Sequence, residues 1–513
     1  MKRTSEGHPS CDRKEAHSTK KAGPDASFGE LIAYNDSPDM ERRLLRKLDL
    51  FMIPTMGLCY MLQYMDKLAL SQATLLNLRK DLDLVGSQYT WCSAIFYFGY
   101  LAWSWPTSYL IVRLPLGKYL AVSVFIWGGV LMCHAACQNF GGLLTARFFL
   151  RMGEAAVAPG FGLITGMFYK ERRATSAYRT LTELMARSFS QGAWFIGNCL
   201  ANVFGGVIAY GIGHAASSLQ SWRLLFLALG AITSGYAVFL FFVLPDSPAK
   251  ASFLTTDERR IAVQRTLANK TGSVEATQFE WAQVWEAGRD PQTWCLVFYT
   301  FCVNLCNGGL TSFSGILIAG FGFSDFKSLL IQMPMGVSQI VFLVVTATIA
   351  TFISSSRIAS MVFNVLVSLT GTVMIYTLDD SQKVAKMVGL CFVAAFAVNI
   401  PLSLSIISSN VAGTTKRSMI SVGVFAAYCV GNIVGPQFFL ASEEPVYETG
   451  IRASLCGLAL GVLFLGLLFT YYVWENERRN SQNGQVPEER DAEEILEEST
   501  KTDRKNPNFR YLL

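Results

Sequence analysis

Residues 222–248 read WRLLFLALGAITSGYAVFLFFVLPDSP. From Trp222 to Leu244 the only charge is Arg223, at the edge. As a helix this run is about 34 Å long, enough to cross a hydrocarbon core of about 30 Å. Pro245-Asp246-Ser247-Pro248 then stops it, because proline removes a donor and clashes with the preceding turn. A polar stretch follows as far as 292, and apolar runs resume at Thr293.

Working outward, comparable runs lie at 48–69, 87–110, 119–137, 143–169 and 188–212 on one side of this stop. On the other side are 293–319, 329–353, 358–378, 385–411, 418–440 and 451–474. In lipid each run must satisfy its own backbone hydrogen bonds, so helices are predicted. The short alternating segments of a β-barrel are absent. With 51% hydrophobic and 16% charged residues, and a mean hydropathy of +0.33, an ordinary soluble protein is excluded. The predicted fold class is an all-α polytopic membrane protein with twelve transmembrane helices in two six-helix bundles. The expected divisions are an N-terminal tail 1–47, a bundle 48–244, a central loop 245–292, a bundle 293–474 and a C-terminal tail 475–513. Such a layout suits two halves with a substrate site between them near the midplane.

The net charge of +5 matters less than its distribution. Loops on the side of both tails carry sixteen Lys and Arg, among them Arg113, Lys118, Arg172 and Lys416, against five on the other side. This bias predicts that both termini and the central loop are cytosolic. The sequons at Asn35 and Asn269 then lie on the wrong side for glycosylation. Met1 to Lys47 is hydrophilic, and no cleavable signal peptide is expected. In the central loop, Thr255 or Thr256 with acids just after it predicts a helix N-cap. The acidic run Glu488 to Glu498 predicts a mostly disordered C-terminal tail. The twelve cysteines form no CxxC, and the pairs Cys133/Cys137 and Cys302/Cys306 read as small packing residues. No metal or other cofactor is expected.

Charge inside a span is expensive and therefore a functional candidate. Asp66 and Lys67 fall in span 1, and Arg147, Arg151 and Glu154 in span 4; the second-half spans carry essentially none. The span 4 trio shares one helix face by its +4, +3 and +7 spacing. Asp66 and Lys67 point about 100° apart, so one can face a cavity while the other pairs with a neighbouring helix. A cation in a cavity suits a substrate carboxylate, and a carboxyl held away from water suits proton exchange. The bland alternative is an ion-pair network that fixes packing without titrating. Polar residues that could complete a cavity are Gln63, Tyr60 and Tyr64 in span 1, and Trp194 and Asn198 in span 5. Asn304 and Asn307 in span 7, and Tyr428 and Asn432 in span 11, could join them. Each could equally be an interhelical hydrogen bond.

At these residues the chain resembles the fungal allantoate permease family of anion:cation symporters, within the major facilitator superfamily. The resemblance rests on Arg46-Lys47-Leu48-Asp49, on Tyr64-Met65-Asp66-Lys67-Leu68-Ala69-Leu70, and on Arg147-Phe148-Phe149-Leu150 leading into Glu154-Ala155-Ala156-Val157-Ala158-Pro159-Gly160-Phe161. Trp194-Phe195-Ile196-Gly197-Asn198, Asn410-Val411-Ala412-Gly413-Thr414-Thr415-Lys416-Arg417, Gly431-Asn432-Ile433-Val434-Gly435-Pro436 and the ending Asn506-Pro507-Asn508-Phe509-Arg510-Tyr511 extend it. It implies the major facilitator fold, working by alternating access, and uptake of organic anions such as ureides, vitamins or small carboxylates, often with protons. It further implies that Lys67 contacts the substrate carboxylate and that Asp66 and Glu154 serve proton coupling, with Arg147 as the span 4 arginine. Two departures stand out. The loop Val112-Arg113-Leu114-Pro115-Leu116-Gly117-Lys118 lacks the acid that usually precedes its arginine, and Arg151 occupies a position that is usually small.

The expected function is therefore secondary active, proton-coupled import of a small organic anion at the plasma membrane by a monomer, with no nucleic acid partner. Export of a metabolite from a biosynthetic cluster and a non-transporting nutrient sensor are the alternatives. An ATP-driven pump is disfavoured because no G-x-x-x-x-G-K-[ST] loop occurs. An enzyme is disfavoured because no nucleophile–His or metal-ligand grouping occurs.

Overall fold

The computed structural model describes residues 38–168, 181–268, 279–353, 356–379, 381–484 and 501–513; side chains are not described at a few further positions, including 181–194. Both sequons and the acidic run Glu488 to Glu498 lie outside the described residues, as does the Trp194 side chain. Twelve membrane-crossing helices run in order, and no strand occurs among the described residues. Spans 1, 2 and 3 are Pro38–Leu75, Gln88–Arg113 and Leu116–Cys133. Span 4 is Phe140–Glu154 continued by Val157–Phe168, and spans 5 and 6 are Leu181–Gly213 and Ser221–Val243. Span 7 is Pro291–Gly320, span 8 is Asp325–Ile331 with Met333–Phe352, and span 9 is Arg357–Thr377. Span 10 is Lys383–Val393 and Asn399–Asn410 around a 3-10 turn, span 11 is Thr414–Val434, and span 12 is Glu448–Asn483.

Nine of these are long and apolar enough to cross a bilayer by length and composition. The three that fall short are spans 1, 2 and 4, and two of them carry the ionisable residues. The break in span 4 has a local cause: Pro159 has no N–H to give the Ala155 carbonyl, so the helix reforms only from Val157. Glu154 thereby becomes the last residue of the first segment. Pro401 acts similarly just after the 3-10 turn Ala394–Val398.

Spans 1 and 12 overrun their expected limits, 48 and 474, starting at Pro38 and ending at Asn483. Hydropathy ends a span at its first polar residues, but an amphipathic helix continues while one face packs. Leu44, Leu48 and Met52, spaced by four, are all fully buried at the start of span 1.

Within the first half, span 1 packs on span 5, span 3 on span 6 and span 2 on span 4; in the second, span 7 packs on spans 11 and 12, and span 9 on spans 10 and 12. The crossing of spans 3 and 6 is close because Gly128 and Gly230 face each other's backbone, where a Cβ on Gly230 would stand 2.7 Å from the Gly128 carbonyl oxygen.

Both described chain ends lie at one end of the bundles, the tail face; the opposite end is the far face. The hydrogen bonds that join the halves run from the far face to mid-depth. At the rim, Arg79 Nη1 donates to both oxygens of Glu444 at 2.9 and 3.0 Å. Below it Tyr89 donates to the Ser312 carbonyl at 2.5 Å, Ser93 and Ser312 join hydroxyl to hydroxyl, and Gly315 N–H donates to Ser71 at 3.1 Å. Asn202 donates to Gln339 at 2.9 Å where span 5 crosses span 8. Deeper in, Tyr97 and Tyr100 of span 2 meet Tyr428 and Phe425 of span 11 at 5.9 and 4.7 Å. The far side of the interface is closed. In the double variant Ser93→Cys with Ser312→Cys, oxidation is expected to abolish uptake and a reductant to restore it, with both single variants insensitive. Uptake that persists in the fully cross-linked protein would mean that these helices do not part during transport.

The central loop contains a first linker helix, Thr256–Ala268, and a second, Trp281–Arg289. Thr255 caps the first reciprocally: its N–H donates to Glu258 at 2.8 Å, and the Glu258 N–H to the Thr255 hydroxyl at 3.4 Å. Burial pushes the Glu258 carboxyl up, but its hydrogen bonds to Lys47 and Thr255 outweigh this and leave it below the usual range.

The expectation of a mostly disordered C-terminal tail is corrected for residues 501–513, which fold back onto the tail face of the second half. The expectation of essentially no charge in the second-half spans is corrected with it. Lys416, in the first turn of span 11, is fully buried and pairs with Asp290 at 2.6 Å, Asp503 at 2.8 Å and Glu286 at 3.1 Å. Tyr511 stacks on Tyr472 at 4.7 Å, Asn476 pairs with both backbone groups of Tyr511, and Asn410 does the same for Leu512. A hydropathy reading misses this because the tail is polar, and its burial depends on partners supplied by six helices. Asp503→Ala removes acceptors from Lys416, Gln292 and Tyr511 at once. It is expected to cost about 3 kcal/mol, read as a lower melting temperature of the purified protein.

Candidate functional site

Spans 1 and 4 bring five ionisable side chains together between the far face and mid-depth, with spans 2 and 3 packed against them. Asp66 is fully buried; its Oδ2 accepts from Trp127 Nε1 of span 3 at 2.6 Å, while Oδ1 has no partner. One residue on, Lys67 turns to a different side and stands over the rings of Tyr64 at 5.5 Å and Tyr97 at 5.8 Å. The expected divergence of Asp66 and Lys67 is thus what the helix delivers.

On span 4, Arg151 pairs with Glu154 one turn on and lies against Tyr100 at 4.0 Å and Phe96 at 4.8 Å. Glu154 is fully buried and keeps Oε1 without a partner, with Gln63 beside it. Arg147, only 2% exposed, forms no ion pair among the described residues. Its guanidinium lies between Phe96 at 5.9 Å and Phe226 at 6.0 Å, and Nε and Nη2 are unpartnered. Each unsatisfied buried polar atom costs about 1–3 kcal/mol, so this concentration is unfavourable unless it serves a task.

A narrow cleft between the halves is lined by Lys67, Ser93, Tyr97 and Arg147 from the first half and Thr311 and Ser312 from the second. It holds about 10 Å³, room for roughly one water-sized group. Two cations and several hydroxyls line it, with no carboxylate.

The remaining candidates separate into two groups. Tyr64 sits beside Asn202, Tyr428 against Tyr97, and Asn198 is half-buried on span 5. Asn304 and Asn432, in contrast, satisfy each other: Asn432 Nδ2 donates to Asn304 Oδ1 at 2.9 Å, and Asn307 Nδ2 to Asn432 Oδ1 at 2.8 Å. Their other amide groups bond to Thr300 and Tyr428 carbonyls, so this triangle ties span 7 to span 11. Three contributors are not evident from the sequence: Trp127, which holds Asp66, and Tyr97 and Tyr100, which flank Lys67 and Arg151. Being uncharged, they do not stand out from the other tyrosines and tryptophans of the spans. Where span 2 ends and span 3 begins, Arg113 stacks on Tyr109 at 4.8 Å, and Asp246 accepts from the Lys118 N–H at 3.2 Å.

Two six-helix bundles around a polar, charged interface closed at one end define a secondary transporter. A family model described as Major Facilitator Superfamily matches residues 56–436. An allantoate permease of Saccharomyces cerevisiae is 32% identical over 93% of this chain and 87% of its own length. An uncharacterized transporter of Schizosaccharomyces pombe is 35% identical over 95% of this chain and 91% of its own. The chain belongs to the major facilitator superfamily, in a fungal allantoate-permease-like group of transporters. Among solved structures, the xylose transporter XylE from E. coli covers 82% of this chain and 99% of its own at TM-score 0.58 and 16% identity, a likeness of fold.

Proposed function

We propose that this transporter imports a small organic anion, a ureide, vitamin or carboxylate, together with protons across the plasma membrane, as a monomer with both termini cytosolic. The observation that carries the reading is charge. Lys67, Arg147 and Arg151 face only Asp66 and Glu154, which leaves one positive charge in excess when both carboxylates are ionised. A monoanion neutralises that excess, and the uncompensated cations, Lys67 and Arg147, line the cleft between the halves. The relation to an allantoate permease supports the same class.

Arg151 suggests how proton and substrate are coupled. While it binds Glu154, the carboxylate stays charged; a substrate carboxylate that draws Arg151 away leaves Glu154 with a buried charge that a proton neutralises. Substrate and proton then bind together and leave together. Uptake of labelled ureides, vitamins and carboxylates by a transport-deficient yeast, at two external pH values, tests this. Accumulation of one of these anions, greater at acidic pH, is the expected result; no anion uptake at either pH would overturn the reading.

A further inference from the structure

The second linker helix has two unlike faces. Gln283 and Ala287 are buried against span 11, with Gln283 Oε1 accepting the Lys416 N–H at 3.1 Å. On the opposite side Trp281 and Trp285, one turn apart, are 70% and 68% exposed, and Phe279 packs on Trp281 at 5.1 Å. This bare aromatic face continues into a lipid-facing surface. Trp294, in the first turn of span 7, reaches back to the Gly288 carbonyl at 2.9 Å, and its ring heads a stack with Phe298 and Phe464 down the outside of spans 7 and 12. Trp294 and Phe298 are exposed on the outside of span 7, and Phe464 of span 12 is half-buried beneath them.

Charge along its rim points the same way. Arg289 is exposed one turn after Trp285. The folded-back tail brings Arg504 to the Arg289 carbonyl at 3.5 Å, and Lys505 next to it is also exposed. The acids nearby are turned inward: Glu286 to Lys416 and Thr502, and Asp290 to Lys416. Glu280, at the other end, accepts from Gln283 at 3.0 Å.

We propose that the second linker helix lies on the bilayer surface at the tail face, with Trp281 and Trp285 at the headgroup boundary and Arg289, Arg504 and Lys505 against anionic phospholipid headgroups. Tryptophan favours that depth because its ring is apolar and its N–H polar. A short amphipathic helix gains there from apolar burial and from attraction to anionic lipid. The site lies outside the transport pathway and joins the central loop, the C-terminal tail and span 7 to the membrane.

The full-length protein in nanodiscs of phosphatidylcholine, with and without phosphatidylserine, tests the proposal. Subtracting the emission of W281F/W285F isolates the two indoles while keeping the face apolar. Lipid brominated near the headgroup is expected to quench that emission about twofold, and phosphatidylserine to lower its access to aqueous iodide. R289Q/R504Q/K505Q is expected to lose only the phosphatidylserine effect. Quenching by iodide but not by brominated lipid, in both lipid mixtures, overturns the membrane contact and assigns the face to water or a protein partner. Lipid quenching indifferent to phosphatidylserine overturns the anionic headgroup assignment.

Discussion

Lys67→Ala is expected to raise the apparent KM for the transported anion by tenfold to a hundredfold, or to eliminate uptake, while the protein still reaches the membrane. The ammonium has two tyrosine rings near it and lines the cleft between the halves. A substrate carboxylate would gain a charge-assisted hydrogen bond there, worth about 1.5–3 kcal/mol, which corresponds to that range of KM. Lys67→Arg is expected to keep partial transport, because the charge persists while donor geometry changes. The competing reading is that Lys67 only balances Asp66. Asp66, however, takes its hydrogen bond from Trp127 and not from its sequence neighbour. Under the competing reading, Asp66→Asn combined with Lys67→Ala should restore the transport that Lys67→Ala lost. That rescue would rule out substrate contact; continued loss of transport agrees with it.

Glu154→Gln should abolish pH-driven accumulation and leave counterflow exchange partly intact. A permanently neutral side chain neither takes up nor releases a proton, but its carbonyl still accepts from Arg151, so the local packing is retained. Arg151 makes this variant informative, because it is the partner whose release would let Glu154 change protonation. Concentrative uptake unchanged in Glu154→Gln would make the residue structural and leave Asp66, with its free Oδ1, as the remaining carboxyl in the site. Melting of the purified variant separates the outcomes: loss of accumulation with an unchanged melting temperature points to coupling, whereas loss of both points to packing.

Much of this architecture can be read directly from composition. A span announces itself because twenty apolar residues are the solution to a hydrocarbon slab, and the stop at Pro245 to Pro248 separates six spans from six without reference to anything distant. Charges in spans 1 and 4 stand out for the same reason, and the helical period alone puts Arg147, Arg151 and Glu154 on one face. The limits of the spans were less legible: span 1 starts ten residues early, because Leu44 and Leu48 bury one side of a helix whose other side is polar.

What the sequence by itself determined, then, is local: twelve helices in two sets, the span that holds each charge and the side of the helix it leaves from. Tertiary structure decided which charges meet. Three cations and two carboxylates allow many pairings, and spacing favours only those along span 4, Arg151 with Glu154 among them. Within span 4 Arg151 takes Glu154 one turn on, while contacts across helices give Asp66 to Trp127 and leave Arg147 and Lys67 uncompensated at the cleft. The same holds at the tail face, where a polar ending looks unstructured until Lys416, Asp290 and Tyr472 stand around it. Apolar burial is set by how many neighbouring residues are apolar, which the chain displays along its length; ion pairing is set by which single atoms come within about 3 Å, which only the folded chain arranges.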